Sequence, residues 1–172
     1  MRSLQIRLHR LWDGSDDEFL VPWDEDCRQD LLWWLQPDRL ESGISLSVVS
    51  PDLDFWSDAS DVGWGAHLSE AFVSGLWSLE EKEFSINARE LLAVERGLLH
   101  FRDLLSGSTV GVFVDNSTAV AYLRKAGGTR SPVLNSIAQR VLRWAEEQDI
   151  VLVPQFVLGR ANVLADSLSR PN

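Results

Sequence analysis

A single cysteine, Cys27, leaves nothing from which to build an intrachain disulfide framework. Three scattered histidines, His9, His67 and His100, do not offer the spacing of a His-built zinc site. No uninterrupted apolar run approaches the length that spans a bilayer. The N-terminus, MRSLQIRLHRLW, mixes charges into its apolar residues and does not read as a secretory signal. These absences favour an intracellular, reducing setting, cytoplasm or nucleus, with no membrane partner. Basic residues are also in short supply, 16 Lys+Arg against 26 Asp+Glu, for a formal net charge of −10. The shortage is uneven: residues 1–120 carry 9 basic and 22 acidic side chains, whereas residues 121–172 carry 7 and 4. Such a chain cannot hold nucleic acid by bulk electrostatics alone, and would need local bases, hydrogen bonds or bound cations.

What is present suits a folded domain. The 172 residues are 45% hydrophobic and 24% charged, enough for one core and a short appendage. Residues 1–52 differ in style from the rest, being rich in Trp and Asp (Trp12, Trp23, Trp33, Trp34, DGSDDE, PWDED). They read as short helices and loops, with a helix near 26–36 and a turn at QPDRLESG, and form a linker or the tail of a preceding domain. Residues 53–172 read as the main domain. Alternation in LDFWSDAS, GWGAHLS and FVSGLWS, separated by close turns, predicts a three-stranded antiparallel meander. Leu91, Val94, Leu98, Phe101 and Leu105 recur at +3/+4 spacing and predict one helix over 85–105, capped by Ser85 or Asn87. TVGVFVD is a continuous apolar strand, followed by a short helix from STAVAYLRK that a Gly-Gly pair ends. A helix over 132–148 presents Val133, Ile137, Val141 and Trp144. A strand over 150–157 carries Pro154, which favours an edge position. The last helix covers 163–170. The order β-β-β-α-β-α-α-β-α implies an α/β fold with a mixed sheet and helices on its faces.

Four carboxylates stand where a bland protein has little use for them. Asp58 interrupts a strand, where Asp is depleted. Glu90 lies at the margin of the long helix's apolar stripe, although Asn87-x-x-Glu90 also has capping-box spacing. Glu95, on the other margin, is its nearest rival. Asp115 ends the apolar strand, where functional groups collect in α/β sheets, although it could simply cap the next helix. Asp166 sits in the first turn of the last helix if Asn162 caps it, a position that the helix dipole alone would favour. Gathered together, four carboxylates would raise one another's pKa values unless cations lay between them. An all-oxygen donor set suits two Mg²⁺, with Mn²⁺ as substitute, and paired divalent ions are an established arrangement for cutting phosphodiesters. Trp56, Trp64, Trp77 and Trp144 are spaced for core packing.

The order of elements, with SDAS on the first strand (within SDASDVGWGAHLS), NARELLAV opening the long helix, VFVDNSTAV after the fourth strand and NVLADSLSR at the end, resembles ribonuclease H. More narrowly it is similar to the ribonuclease H domain of reverse transcriptases from LTR-type and DIRS-type retroelements, and residues 1–52 resemble the connection that follows the polymerase thumb. The resemblance implies a five-stranded mixed sheet with its first three strands antiparallel. It implies a metal site on Asp58, Glu90, Asp115 and Asp166, and hydrolysis of the RNA strand of RNA·DNA hybrids in concert with a polymerase domain of the same polyprotein. It implies that Ala59, Ser60 and Glu90 read the 2′-hydroxyls that distinguish RNA from DNA, that Asn87 reaches the minor groove, and that Asn116 beside Asp115 also meets substrate. Lys125 and Arg130, flanking the Gly-Gly turn, are candidate phosphate contacts. Family members commonly carry a histidine in the loop before the last Asp. Here that loop is LGRAN, with Arg160 its only charge. The alternatives are a non-catalytic scaffold of the same fold and a two-metal nuclease acting on DNA.

Overall fold

In a computed structural model of the chain, residues 2–37 and 50–170 are described. The turn expected at QPDRLESG lies mostly outside them. The chain divides into two compact units, one made of Met1–Val48 with Gly128–Pro132, the other of Val49–Gly127 with Val133–Asn172. In the first unit, α1 (Arg2–Leu11) and α2 (Glu25–Trp34) are two short helices. Asp24 caps α2 by accepting from the Cys27 amide, and its carboxylate also pairs with Arg7. The Ser3 amide donates to Asp30 at 2.8 Å, and Cys27 is buried. Burial pushes the Cys27 thiol up, away from the reactive thiolate.

The second unit runs β1 (Leu53–Ala59), β2 (Gly63–Leu68), β3 (Ala71–Leu76), α3 (Leu79–Lys82), α4 (Ile86–His100), α5 (Arg102–Leu105), β4 (Thr109–Val114), α6 (Ser117–Arg124), α7 (Pro132–Glu147), β5 (Val151–Phe156) and α8 (Val163–Ser169), with a 3₁₀ turn at Gly159–Ala161 before α8. The sheet order is β3-β2-β1-β4-β5. β1, β2 and β3 are antiparallel, whereas β4 is parallel to β1 and β5 to β4. Pro154 lies in β5, an edge strand, as a missing ladder donor requires.

Alternation along β2 explains how both faces are covered. At Gly97 of α4 an added Cβ would come within 2.6 Å of Ala66 Cβ and Phe55 Cζ. At the neighbouring Gly65 it would come within 2.4 Å of Leu168 Cβ and 2.7 Å of the Ser169 amide in α8. Successive strand residues point to opposite faces, so α4 covers one face and α8 the other. Gly65→Ala is therefore expected to lift α8 off β2 and to destabilise the fold by about 1–3 kcal/mol, the usual range for overpacking. A thermal melt would register this as a drop of several degrees, and an unchanged midpoint would mean that α8 is not tightly seated.

Two helical expectations shift. The predicted 85–105 helix breaks at Phe101, whose amide closes α4 on the Gly97 carbonyl and whose own carbonyl starts a separate turn to Leu104. The Phe101 ring packs edge-on against Phe55 at 6.4 Å, so core packing carries the apolar stripe across the break. In α7 the buried stripe is Leu134, Ile137, Ala138, Val141 and Ala145, and Val133 is exposed. Of the four tryptophans, Trp64 and Trp77 are buried and Trp144 packs against the core. Trp56 is half-buried, stacked between Phe113 (4.5 Å) and His67 (5.9 Å) across three strands.

Candidate metal centre

The register builds the site. Ser57 of β1 lies opposite Val114 of the parallel β4. Asp58 and Asp115 therefore come level at the carboxyl ends of adjacent strands, where open α/β sheets place ligands. α4 starts at the same end. Its N-cap is Ser85, which accepts from the Ala88 amide. Asn87 thus has no capping role, and the capping-box reading of Glu90 falls away. The Asn87 side-chain Oδ1 instead accepts from Asn116 Nδ2 at 2.8 Å. Asn116 is itself the cap of α6, accepting from the Ala119 amide at 2.9 Å, so Asp115 is not needed as a cap. Glu95, the rival acid, is taken up in a two-pronged bond with Arg140, both contacts at 2.7 Å.

With those structural roles assigned elsewhere, Asp58, Glu90 and Asp115 converge. Each offers a carboxylate oxygen within 4.8 Å of the others. Asp58 is 4% exposed and Glu90 3%, and Asp115 is half-buried. None of the three forms an ion pair among the described residues. Arg89, next to Glu90, spends its guanidinium on the Ser60 carbonyl (2.9 Å) and Asp61 (3.0 Å). Glu90 Oε2 is buried with no hydrogen-bond partner among the described residues.

Asp166 stands at the rim. It is 45% exposed and pairs with Arg170 at 2.8 Å. It is still close enough for its charge to raise both Asp58 and Asp115. Asn162 occupies the N-cap position of α8 but makes no side-chain cap. Its amide nitrogen donates to the Ser57 carbonyl at 3.0 Å, so the expectation that it caps the helix is corrected. That bond turns the side chain toward β1, and the Oδ1 that would have capped the helix is buried with no hydrogen-bond partner among the described residues.

The electrostatics follow from this crowding. Burial pushes Glu90 up to about 9, helped by the charges of Asp58 and Asp115, while the Ala59 amide pulls the other way. Burial also raises Asp58, against a bond from Ser169 and with the push of Asp115 and Asp166. Asp115 is raised by burial first and by Asp166 second. Acids so perturbed beside one another are compatible with a bound cation.

The remaining candidates scatter. The Ala59 amide serves Glu90. Ser60 is a structural knot: its amide donates to the Gly63 carbonyl, its hydroxyl to the Ser169 carbonyl, and its carbonyl accepts from Trp77 Nε1 and Arg89. Lys125 is the exposed C-cap of α6. Arg130 is exposed and belongs to the Gly128–Pro132 stretch of the first unit. Arg160 is exposed in the 3₁₀ turn, beside Gly159, where an added Cβ would lie 3.1 Å from Asp115 Oδ2. The LGRAN loop thus borders the cluster. Sequence reasoning overlooked Ser169, whose hydroxyl donates to Asp58 Oδ2 at 2.7 Å. A serine near a helix end carries no signal for such a contact.

Comparison with known proteins agrees with this architecture. The family described as the RNase H-like domain found in reverse transcriptase matches residues 50–148, more than half of the sequence, and the chain belongs to it. That match stops short of Asp166 and Ser169. The genome polyprotein of Petunia vein clearing virus (isolate Shepherd) is 29% identical over 126 residues, which cover 67% of this chain and 6% of the polyprotein. The chain therefore spans about 6% of the length of this viral relative. RNase H1 from the halophilic archaeon Halobacterium salinarum NRC-1 superposes with a TM-score of 0.57 at 19% identity, covering 67% of this chain and 92% of that one. LC11-RNase H1 in complex with RNA/DNA hybrid gives 0.56 at 19% identity, over 68% and 93%. At that identity the likeness is one of fold. No described helix is long and apolar enough to cross a membrane.

Proposed function

We propose that this chain is the ribonuclease H module of a retroelement polyprotein, hydrolysing the RNA strand of RNA·DNA hybrids to leave a 3′-hydroxyl and a 5′-phosphate. Residues 1–52 are then the connection that joins it to a polymerase domain. The observation that carries the reading is the carboxylate cluster of Asp58, Glu90 and Asp115, the first two buried and the third half-buried, with no ion pair to any of them among the described residues. An orphaned buried oxygen on Glu90 and an all-oxygen donor set fit Mg²⁺ or Mn²⁺. Asp58, Glu90, Asp115 and, from the rim, Asp166 would hold two such ions. When bound, the ions supply a water of lowered pKa and stabilise the leaving oxygen.

The chain's own groups set the stage for this. The Ala59 amide bonds the Glu90 carboxyl, and the Ser169 hydroxyl donates to Asp58. Gly159 keeps the space beside Asp115 free of a side chain. Asn87 and Asn116, bonded to each other at the mouth, together with Glu90, offer hydrogen-bonding groups to a 2′-hydroxyl. Lys125, Arg130 and Arg160 supply the available positive charge for phosphates, which is little. Binding is accordingly expected to be weak without the polymerase and, with so few phosphate contacts, to fall only modestly with salt.

The direct test offers labelled RNA·DNA hybrid, duplex DNA and duplex RNA with Mg²⁺. Cleavage confined to the RNA of the hybrid is expected. Cleavage of duplex DNA would favour the two-metal DNA nuclease, and no cleavage of any substrate the scaffold. Metal should also stabilise the fold. At a concentration 100 times its dissociation constant, Mg²⁺ adds about 2.7 kcal/mol, roughly 5–10 °C for a domain of this size. A melting curve indifferent to millimolar Mg²⁺ and Mn²⁺ would count against the centre.

A further inference from the structure

Ser169 is the last residue of α8 and is fully buried, at 0% exposure. Its Oγ lies 2.7 Å from Asp58 Oδ2 and 2.9 Å from the Asp166 carbonyl oxygen. A hydroxyl has one proton and can donate to only one of these at a time. An ionised carboxylate is the stronger acceptor, and a bond to it is shorter and about twice as strong as a neutral one. Serines near helix ends often donate back to a carbonyl one turn earlier, and that ordinary role would need no carboxylate. Ser167, two residues earlier, does just this, donating to the Leu164 carbonyl at 2.7 Å in an exposed position. Ser169 differs in having Asp58 as the nearer acceptor.

The position of Ser169 is held from three sides. Its carbonyl accepts from Ser60 Oγ at 2.6 Å. At the other end of α8, Asn162 Nδ2 bonds the Ser57 carbonyl at 3.0 Å. Gly65 lets the helix backbone lie directly on β2. α8 is therefore bonded to β1 at both ends, with Ser57 and Ser60 bracketing Asp58.

We propose that Ser169 is a positioning residue of the carboxylate cluster. Its hydroxyl proton commits one oxygen of Asp58 to the protein and leaves the other for a divalent cation shared with Glu90 and Asp115. This rests on the metal-centre reading above. Groups that orient a metal ligand in this way are commonly worth 10–100-fold in metal affinity.

The test titrates Mn²⁺ itself into the full chain and follows the free ion by electron paramagnetic resonance, so no substrate or turnover enters the readout. Ser169→Ala should raise the Mn²⁺ dissociation constant about tenfold or more. Ser167→Ala, which removes an equivalent helix back-bond without touching Asp58, should leave it within about twofold. Equal affinity for wild type and Ser169→Ala, or equal losses in the two alanine variants, overturns the inference. If Ser169→Ala fails to fold in EDTA, Ser169→Cys carries the test, because it keeps the shape but donates weakly. Weakened Mn²⁺ binding supports the proposal there and wild-type affinity defeats it. A wild-type chain that binds no Mn²⁺ at all fails at the earlier step, the metal centre, and is told apart by that.

Discussion

Asp115→Asn is expected to lower hybrid cleavage by at least about 10³-fold while leaving the protein folded. Residues that act as one catalytic unit lose nearly everything when one member is removed, which justifies so large a figure. Asparagine keeps the shape of Asp115 at the end of β4 but removes its charge. That charge currently pushes up both Asp58 and Glu90. In EDTA the variant should consequently melt no lower than wild type, and with Mg²⁺ it should lose most of the metal-induced rise. Cleavage assays beside melts with and without EDTA separate the two effects. A variant that cuts as fast as wild type removes Asp115 from the site. Wild type and variant equally inert would leave only a scaffold.

Glu90→Gln should produce opposite signs in activity and stability. In the metal-free protein Glu90 is pushed from its ordinary value of 4.5 up to about 9. A carboxyl raised on folding binds its proton more tightly in the folded state. Its contribution is then fully favourable below pH 4.5 and is lost progressively as the pH rises toward 9. At pH 7 this cost is on the order of 3 kcal/mol relative to acid conditions. Glutamine is neutral throughout, and its amide can donate to Asp58 and Asp115. The variant should melt roughly 5–10 °C above wild type near neutral pH in EDTA, with the gap closing toward pH 5. Asp58 and Asp115, also raised, leave a residual slope of the same sign in the variant. Hybrid cleavage should be lost. Melting midpoints at several pH values in EDTA decide the matter: a variant no more stable than wild type at any of them would show that Glu90 is not held against its charge.

The main elements could be read from periodicity because the same spacing that makes a stripe in the sequence makes a buried face in the fold. Leu91, Val94, Leu98, Phe101 and Leu105 are all buried as expected. Yet the helix that should have carried them in one piece breaks at Phe101. The side chain packs in either conformation, so periodicity does not see the break. The same limit applies to Val133 in α7, an apolar residue that core packing leaves outside.

The four acids stood out as misplaced, but each had an innocent explanation that local sequence could not remove. The observed helix caps removed two of them, and an ion pair removed the rival acid. Ser85 took the cap that would have excused Glu90, Asn116 took the one that would have excused Asp115, and Arg140 drew off Glu95. Asp58 lost its explanation to burial, since its strand is central in the sheet and not a solvated edge. Asp166 kept a partner of its own, Arg170, and lies at the margin of the cluster.

By itself the sequence determined the order of strands and helices, the acids worth suspecting and the family motifs that contain them. Those properties reside in local pattern, which a one-dimensional string records. Only the tertiary structure decided which oxygens meet. The parallel register of β1 against β4 sets Asp58 beside Asp115, and the bonding of α8 at both ends brings Ser169 to Asp58 across 111 positions. Contacts between residues so distant depend on how whole elements dock, and docking is settled by the summed packing of faces and by buried hydrogen bonds that no short stretch of sequence specifies.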